Sequence, residues 1–220
     1  MRLAGNSETA ADIGADHGYL ATALIESGAA KYVIAADKNK GPLSAAKKTA
    51  TAAGLEGKIA LRLGDGLDVI KIGEVETICV AGMGGALIAR ILEKDLPVAK
   101  SARRLVLQPN NGANILRRFL YTRGFDVTDE ELVKEKGHIY EIIAAKPVEV
   151  PLPLPDEITL LLGARILTKN PILLQEHLSN IIRKYRRKLQ GLQQGGKTAE
   201  AKAANEVIES LNRLLLQKTV

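Results

Sequence analysis

The strongest constraint on this chain is a repeating pattern in its first 125 residues: short apolar runs end on glycine or aspartate, and helical patterns separate them. Thr9–Ile13 is the first run. Tyr19–Ser27 then has apolar residues at helical spacing and closes at Gly28. Tyr32–Ala36 reads as a second strand ending at Asp37. Pro42 opens a helix to Ala53 that Gly54 stops, with proline in the first turn and glycine just past the end. Ile59–Leu63 leads into Gly64-Asp65-Gly66, Thr77–Ala81 into Gly82-Met83-Gly84-Gly85, and Arg104–Leu107 into Gln108-Pro109-Asn110. A helix from about Asn114 ends at Gly124. Strands that alternate with helices imply βαβ units, hence an α/β fold with a parallel sheet.

The next two runs break the alternation. Phe125–Lys134 and Ile139–Lys146 are separated only by Glu135-Lys136-Gly137-His138, a hairpin spacing, so the sheet is expected to end in an antiparallel pair. This strand plan resembles the Rossmann-like sheet of class I methyltransferases. Pro147, Pro151, Pro153 and Pro155 then read as a stiff linker. Beyond it Leu178, Ile182, Tyr185, Leu189 and Leu192, and later Ala201, Ala204, Ile208, Leu211 and Leu215, recur at spacings of three and four around Gly195-Gly196. That pattern predicts an antiparallel coiled-coil hairpin with a glycine tip. The expected division is residues 1–150 as a cofactor-binding domain and 151–220 as a helical arm.

Composition narrows the classes. The single cysteine, Cys79, excludes a disulfide framework and a multi-cysteine metal cluster. No Cys/His/Asp spacing suits a metal ion, and none is expected. No apolar run approaches the ~20 residues of a membrane helix, and the N-terminus lacks a signal-peptide core, so a cytoplasmic protein without a membrane partner is expected. A net charge of +6 favours polyanionic partners. With 3% aromatic residues and no tryptophan, an extended stacking platform for single strands is not expected.

The first turn, Asp12-Ile13-Gly14-Ala15-Asp16-His17-Gly18, has glycines at i and i+4, whereas a dinucleotide fingerprint needs them at i, i+2 and i+5. Asp16 stands at i+2, where it would repel a pyrophosphate. S-adenosylmethionine has no phosphate and carries a sulfonium and an ammonium, which carboxylates at Asp12 and Asp16 suit. Asp37, followed by Lys38, ends the second strand, where a carboxylate can accept both ribose hydroxyls. Asp65, between Gly64 and Gly66, is placed to reach an adenine amino group. Ala81, Gly82, Met83 and Gly84 lie where methyl group and target should meet, and glycines there permit close backbone approach. Gln108 and Asn110 are candidates for a base edge, and His17 and Tyr19 for facing the base. Arg183, Lys184, Arg186, Arg187 and Lys188 form the densest positive run, expected to grip phosphates.

Residues 11–20 (ADIGADHGYL), Ala81-Gly82-Met83-Gly84-Gly85 and Leu107-Gln108-Pro109-Asn110 together resemble the bacterial tRNA (adenine-22-N1)-methyltransferase family. Leu162-Gly163, Lys169-Asn170-Pro171 and the helical hairpin resemble that family's C-terminal region. The resemblance implies a Rossmann-like domain with a C-terminal coiled coil, S-adenosylmethionine as cofactor, tRNA as partner, and methylation of adenine 22 at N1. Adenine N1 has an in-plane lone pair and is neutral at pH 7, so it can attack the methyl group directly. Catalysis is then positioning and desolvation, with the base flipped out of its stack. Other readings are a methyltransferase for another RNA, or for a small molecule or protein, against which the basic coiled coil argues, and a non-catalytic RNA-binding protein that has kept the fold, against which intact Asp12, Gly14, Asp37 and Asp65 argue. A monomer is favoured over an oligomer.

Overall fold

In the computed structural model, which describes residues 2–150, 152–169 and 171–217, seven strands form one sheet in the order β3-β2-β1-β4-β5-β7-β6. The strands are β1 (Ser7–Ile13), β2 (Ala30–Asp37), β3 (Ile59–Leu63), β4 (Thr77–Gly84), β5 (Arg104–Asn111), β6 (Phe125–Glu135) and β7 (His138–Pro147). The helices are α1 (Tyr19–Glu26), α2 (Lys40–Ala52), α3 (Gly85–Lys94), α4 (Leu96–Ser101), α5 (Ala113–Thr122), α6 (Glu157–Leu162), α7 (Pro171–Gln194) and α8 (Thr198–Gln217). β1 pairs in parallel with β2 and β4, β2 with β3 and β4 with β5, while β7 runs antiparallel to β5.

The central strands are apolar on both faces because helices cover both. Side chains alternate across β1: Ala11 and Ile13 join the core under α3, α4 and α5, whereas Ala10 joins the core under α1 and α2. Cys79 faces the α1 side as well, while Ile78 and Val80 face the other. The strand order leaves β1 in one direction to β2 and in the other to β4. The C-terminal edge of β1 and β4 is therefore the topological switch point, where open α/β sheets bind ligands.

By contact the chain divides into two units, Met1–Glu130 with Glu141–Leu154, and Glu131–Tyr140 with Pro155–Val220. The tip of the β6–β7 hairpin thus belongs with the C-terminal helices: Leu132 packs in their core beside Leu162, Leu178 and Leu211. The hairpin turns at Lys136 and Gly137, both with positive φ (48° and 80°). In the helical unit, Leu178, Ile182, Tyr185, Leu189, Ile208, Leu211 and Leu215 lie in the core between α7 and α8, and Ala201 and Ala204 are buried.

Several sequence expectations need correction. β4 and β5 run past Ala81 and Leu107, to Gly84 and Asn111, because a register shift around Gly82 lets the pairing continue through the expected turn. α3 and α4 have no counterpart in the sequence pattern described above. Pro147 ends β7 instead of opening the linker, a position where a missing N–H costs no ladder bond. Pro151 and Asn170 lie outside the described residues.

Candidate active site

Five turns meet the C-terminal edge of the sheet. The first is built by backbone that only glycine adopts easily: Gly14 (φ 76°) and Gly18 (φ 73°) are left-handed, and Asp16 (φ 44°) joins them. Gly14 and Ala15 both donate to Ala36 O, at 2.8 and 3.0 Å, which ties the turn to the end of β2. A Cβ on Gly14 would lie 2.1 Å from Met83 Cε, so the turns after β1 and within β4 face each other across the switch point. A Cβ on Gly18 would come within 2.9 Å of the Ala46 Cα on α2.

Asp12 sits beneath this turn. It is 2% exposed, and its Oδ2 accepts a hydrogen bond of 3.1 Å from the Ala21 N–H, pinning the first turn of α1 to β1. Burial lifts its carboxyl to about 7; the Ala21 N–H works against that rise and the Asp37 charge adds to it. Its neighbour in register is Cys79, whose thiol burial pushes up to about 12, with Asp12 contributing. Above the floor the acids are open. Asp37 closes β2 half-buried, and its Oδ1 accepts from the Asn39 N–H at 2.8 Å, with Lys38 exposed beside it. The Gly64 N–H donates to Asp37 O at 3.0 Å and brings the third turn alongside the second. Asp65 is exposed and lies 3.7 Å from Lys94 Nζ. Gly66 is left-handed, with φ 72°.

The β4–β5 edge holds a closed ring of hydrogen bonds. Gly82 N–H donates to Gln108 Oε1 at 2.9 Å, Asn110 Nδ2 donates to Gly82 O at 2.7 Å, and Gln108 Nε2 donates to Asn110 Oδ1 at 3.1 Å. The two amides therefore clamp Gly82 in its left-handed bulge (φ 77°), each keeping one N–H free. Ala81, Met83 and Gly84 flank it half-buried. Pro109, buried, pairs with Met83 and donates nothing to the ladder. His17 and Tyr19 stack on each other, with ring centroids 5.7 Å apart and planes at 7°. Tyr19 is 71% exposed, and His17 Nδ1 lies 3.0 Å from Asp16 Oδ2.

A model of the tRNA (adenine(22)-N(1))-methyltransferase family matches residues 10–213, from the first strand into the last helix. The chain belongs to that family. It is 42% identical over 141 residues to the tRNA (adenine(22)-N(1))-methyltransferase of Bacillus subtilis, a match spanning 64% of this chain and 59% of that enzyme. Among solved structures, a Streptococcus pneumoniae tRNA (m1A22) methyltransferase in complex with S-adenosyl-L-methionine superposes with a TM-score of 0.83, at 31% identity over 97% of this chain and 98% of its own. A Streptococcus agalactiae protein of the Rossmann superfamily superposes with a TM-score of 0.86, at 30% identity over 97% and 94%. The family's frame thus covers both the glycine turns and the helices that follow them.

One feature of the site and one of the surrounding fold escaped sequence reasoning. Asn110 and Gln108 carry the amides expected at a base edge, but their use as a clamp on Gly82 depends on a bulge visible only once β4 and β5 are paired. Arg117, on α5, is 1% exposed, and its Nε and Nη2 donate to Glu130 at 2.6 Å and Glu141 at 2.5 Å. Burial works against its charge, and the two glutamates outweigh it. An amphipathic helix with adjacent arginines gives no sign of which one points inward.

The basic run on α7 is exposed as expected. Arg183, Lys184, Arg186, Arg187 and Lys188 have no carboxylate within ion-pair distance among the described residues, and Lys188 Nζ lies 5.6 Å from the Tyr185 ring centroid.

Proposed function

We propose that this chain transfers a methyl group from S-adenosylmethionine to N1 of adenine 22 in tRNA. The observation that carries the reading is the meeting of acidic and glycine turns at the switch point with Gly82 clamped among them. The donor set fits the cofactor. The edge presents Asp16, Asp37 and Asp65 above Asp12, which suits a cation without phosphates and opposes a dinucleotide. The bound relative from Streptococcus pneumoniae supports the same cofactor.

When bound, S-adenosylmethionine supplies an electrophilic methyl on a positively charged sulfur. Asp37, with Lys38 beside it, holds the ribose diol, and Gly64, Asp65 and Gly66 border the adenine. Gly14, Asp16, His17 and Gly18 shape the methionine end, with Asp12 as the buried anchor of that turn. Ala81, Gly82, Met83 and Gly84 form the wall where the target base enters. Gln108 and Asn110 act first by fixing the Gly82 peptide, and their remaining N–H groups point the base edge. Because neutral adenine N1 already bears a lone pair, no residue has to remove a proton before attack, and rigid positioning is the main contribution. His17 and Tyr19 offer an exposed ring pair for the flipped base. Residues 1–150 would thus serve as the catalytic domain and 151–220 as a tRNA-binding arm, with Arg183, Lys184, Arg186, Arg187 and Lys188 on phosphates.

The test is to incubate unmodified tRNA with the protein and S-adenosylmethionine and to digest it for mass spectrometry of nucleosides. 1-Methyladenosine at position 22 is the expected product. Methylation elsewhere, or none with folded protein, overturns the reading.

A further inference from the structure

Between Asp37 and Glu56 the chain carries four lysines, Lys38, Lys40, Lys47 and Lys48, and no acidic residue. The last three lie on α2, and all are exposed. Lys40 and Lys47 are two helical turns apart, so they share a face about 10 Å apart along the axis, and Lys48 adjoins the second.

Several other exposed cations of the same unit are matched, while Lys58, Lys71, Arg90, Lys100 and Lys146, scattered along the chain, also lack an ion pair among the described residues. Lys31 Nζ lies 2.6 Å from Glu8, Lys94 within 3.7 Å of Asp65 and Asp68, Arg103 3.4 Å from Glu76, and Arg123 2.7 Å from Glu93. Lys40, Lys47 and Lys48 have no carboxylate within ion-pair distance among the described residues. Folding of α2 does not need them: its packing rests on Ala46 and Ala50, and like charges on one helix repel.

Their place gives them a use. Ala46, the residue before Lys47, is the one on which Gly18 rests, with its Cα 2.9 Å from where a Gly18 Cβ would stand. Gly18 lies between His17 and Tyr19, the stacked and solvent-open ring pair. A row of unmatched cations therefore adjoins a flat aromatic surface. Single-stranded nucleic acid is held by the same pairing, phosphates on cations and bases on rings.

We infer that α2 is an RNA-binding ledge on the catalytic unit, in which Lys40, Lys47 and Lys48 take phosphates of the strand whose bases reach His17 and Tyr19. The inference rests on the tRNA reading and adds to it a contact surface separate from the basic run on α7.

The experiment uses the full chain with Lys40→Gln, Lys47→Gln and Lys48→Gln combined, beside the corresponding triple arginine variant. Affinity for tRNA is measured across salt concentrations, and S-adenosylmethionine affinity by calorimetry. The glutamine variant is expected to bind the cofactor as wild type does and to lose roughly 2–3 from the log–log salt slope, at about 0.7–0.9 per neutralised phosphate. The arginine variant is expected to keep the slope. A glutamine variant with the wild-type slope overturns the ledge, as does an arginine variant that loses the slope equally, since charge would then not be the cause. Wild-type protein that neither binds nor methylates tRNA overturns the tRNA reading itself, an outcome distinct from either.

Discussion

The sheet unit and the helical unit both depend on arginine, and they use it in opposite ways. Arg117 is buried between two glutamates and is held by both. Arg183, Arg186 and Arg187 stand in solvent with no carboxylate partner among the described residues. A buried charge must be matched inside the fold because desolvation penalises it heavily, so its partners are structural. An exposed charge without a partner contributes nothing measurable to the fold and is free for a partner from outside. The contrast teaches that the environment of a charge, not its residue type, separates architecture from binding surface.

Breaking the buried side of the contrast should give the largest effect. Arg117→Ala takes the buried guanidinium away from Glu130 and Glu141 and should cost about 3–5 kcal/mol of stability, read from urea midpoints. A loss below about 1 kcal/mol would mean that the glutamates are hydrated and the triad is not a buried one.

Asp12 gives the next largest effect, and a pH dependence. Its folded carboxyl, at about 7, lies above the ordinary value of 3.8, so its contribution to stability is complete below 3.8 and is lost as pH rises towards 7. Asp12→Asn stays neutral throughout. It should match wild type near pH 4 and exceed it by up to about 4 kcal/mol above pH 7, while binding cationic S-adenosylmethionine more weakly there. Parallel stability curves from pH 4 to 8 would rule out a buried, protonated Asp12.

Asp37 tests the open acids of the same edge. Asp37→Ala should weaken S-adenosylmethionine by ~1.5–3 kcal/mol in calorimetry, the range for a hydrogen bond to a charged group. Unchanged affinity in a folded variant removes it from the site. Gln108→Ala releases Gly82 and should lower kcat by about 1–2 kcal/mol in activation free energy with little change in cofactor affinity. If cofactor binding collapses while kcat holds, the clamp serves the cofactor and not the base.

The smallest effect on stability belongs to the exposed side. Replacing Arg183, Arg186 and Arg187 with Gln should shift stability by no more than about 0.5 kcal/mol, yet flatten the salt dependence of tRNA binding by roughly 0.7–0.9 for every phosphate that is no longer neutralised. Identical salt slopes would leave this face of α7 a solvated surface and erase the contrast with Arg117.

What was legible in the sequence follows the same division. Glycines that must take left-handed backbone, such as Gly14 and Gly18, announce turns directly, and the turns announce the sheet edge. The alternation of strand and helix patterns was enough for a parallel sheet, and the spacing around Gly137 for the closing hairpin. Contacts made at a distance were not legible. The Gly82 clamp needs the β4–β5 register, and the Arg117 triad needs α5 laid against β6 and β7. The assignment of residues 131–140 to the helical unit needs Leu132 in a core whose other members begin after residue 157. α3 was obscured by Gly84 and Gly85, which read as loop. Gly85 is glycine because a Cβ there would stand 2.3 Å from Gly112 O, a contact between two helix starts.

Cys79 turns the centre of the sheet into its own reporter. It is the chain's single thiol, lies 2% exposed on β4 between β1 and β5, and is held protonated by burial. A thiol reagent finds neither access nor thiolate while the sheet is closed, so any labelling counts openings of its middle strands. The labelling rate, followed with and without S-adenosylmethionine, would measure how far occupancy of the edge suppresses opening of the interior, without a probe added anywhere else in the molecule.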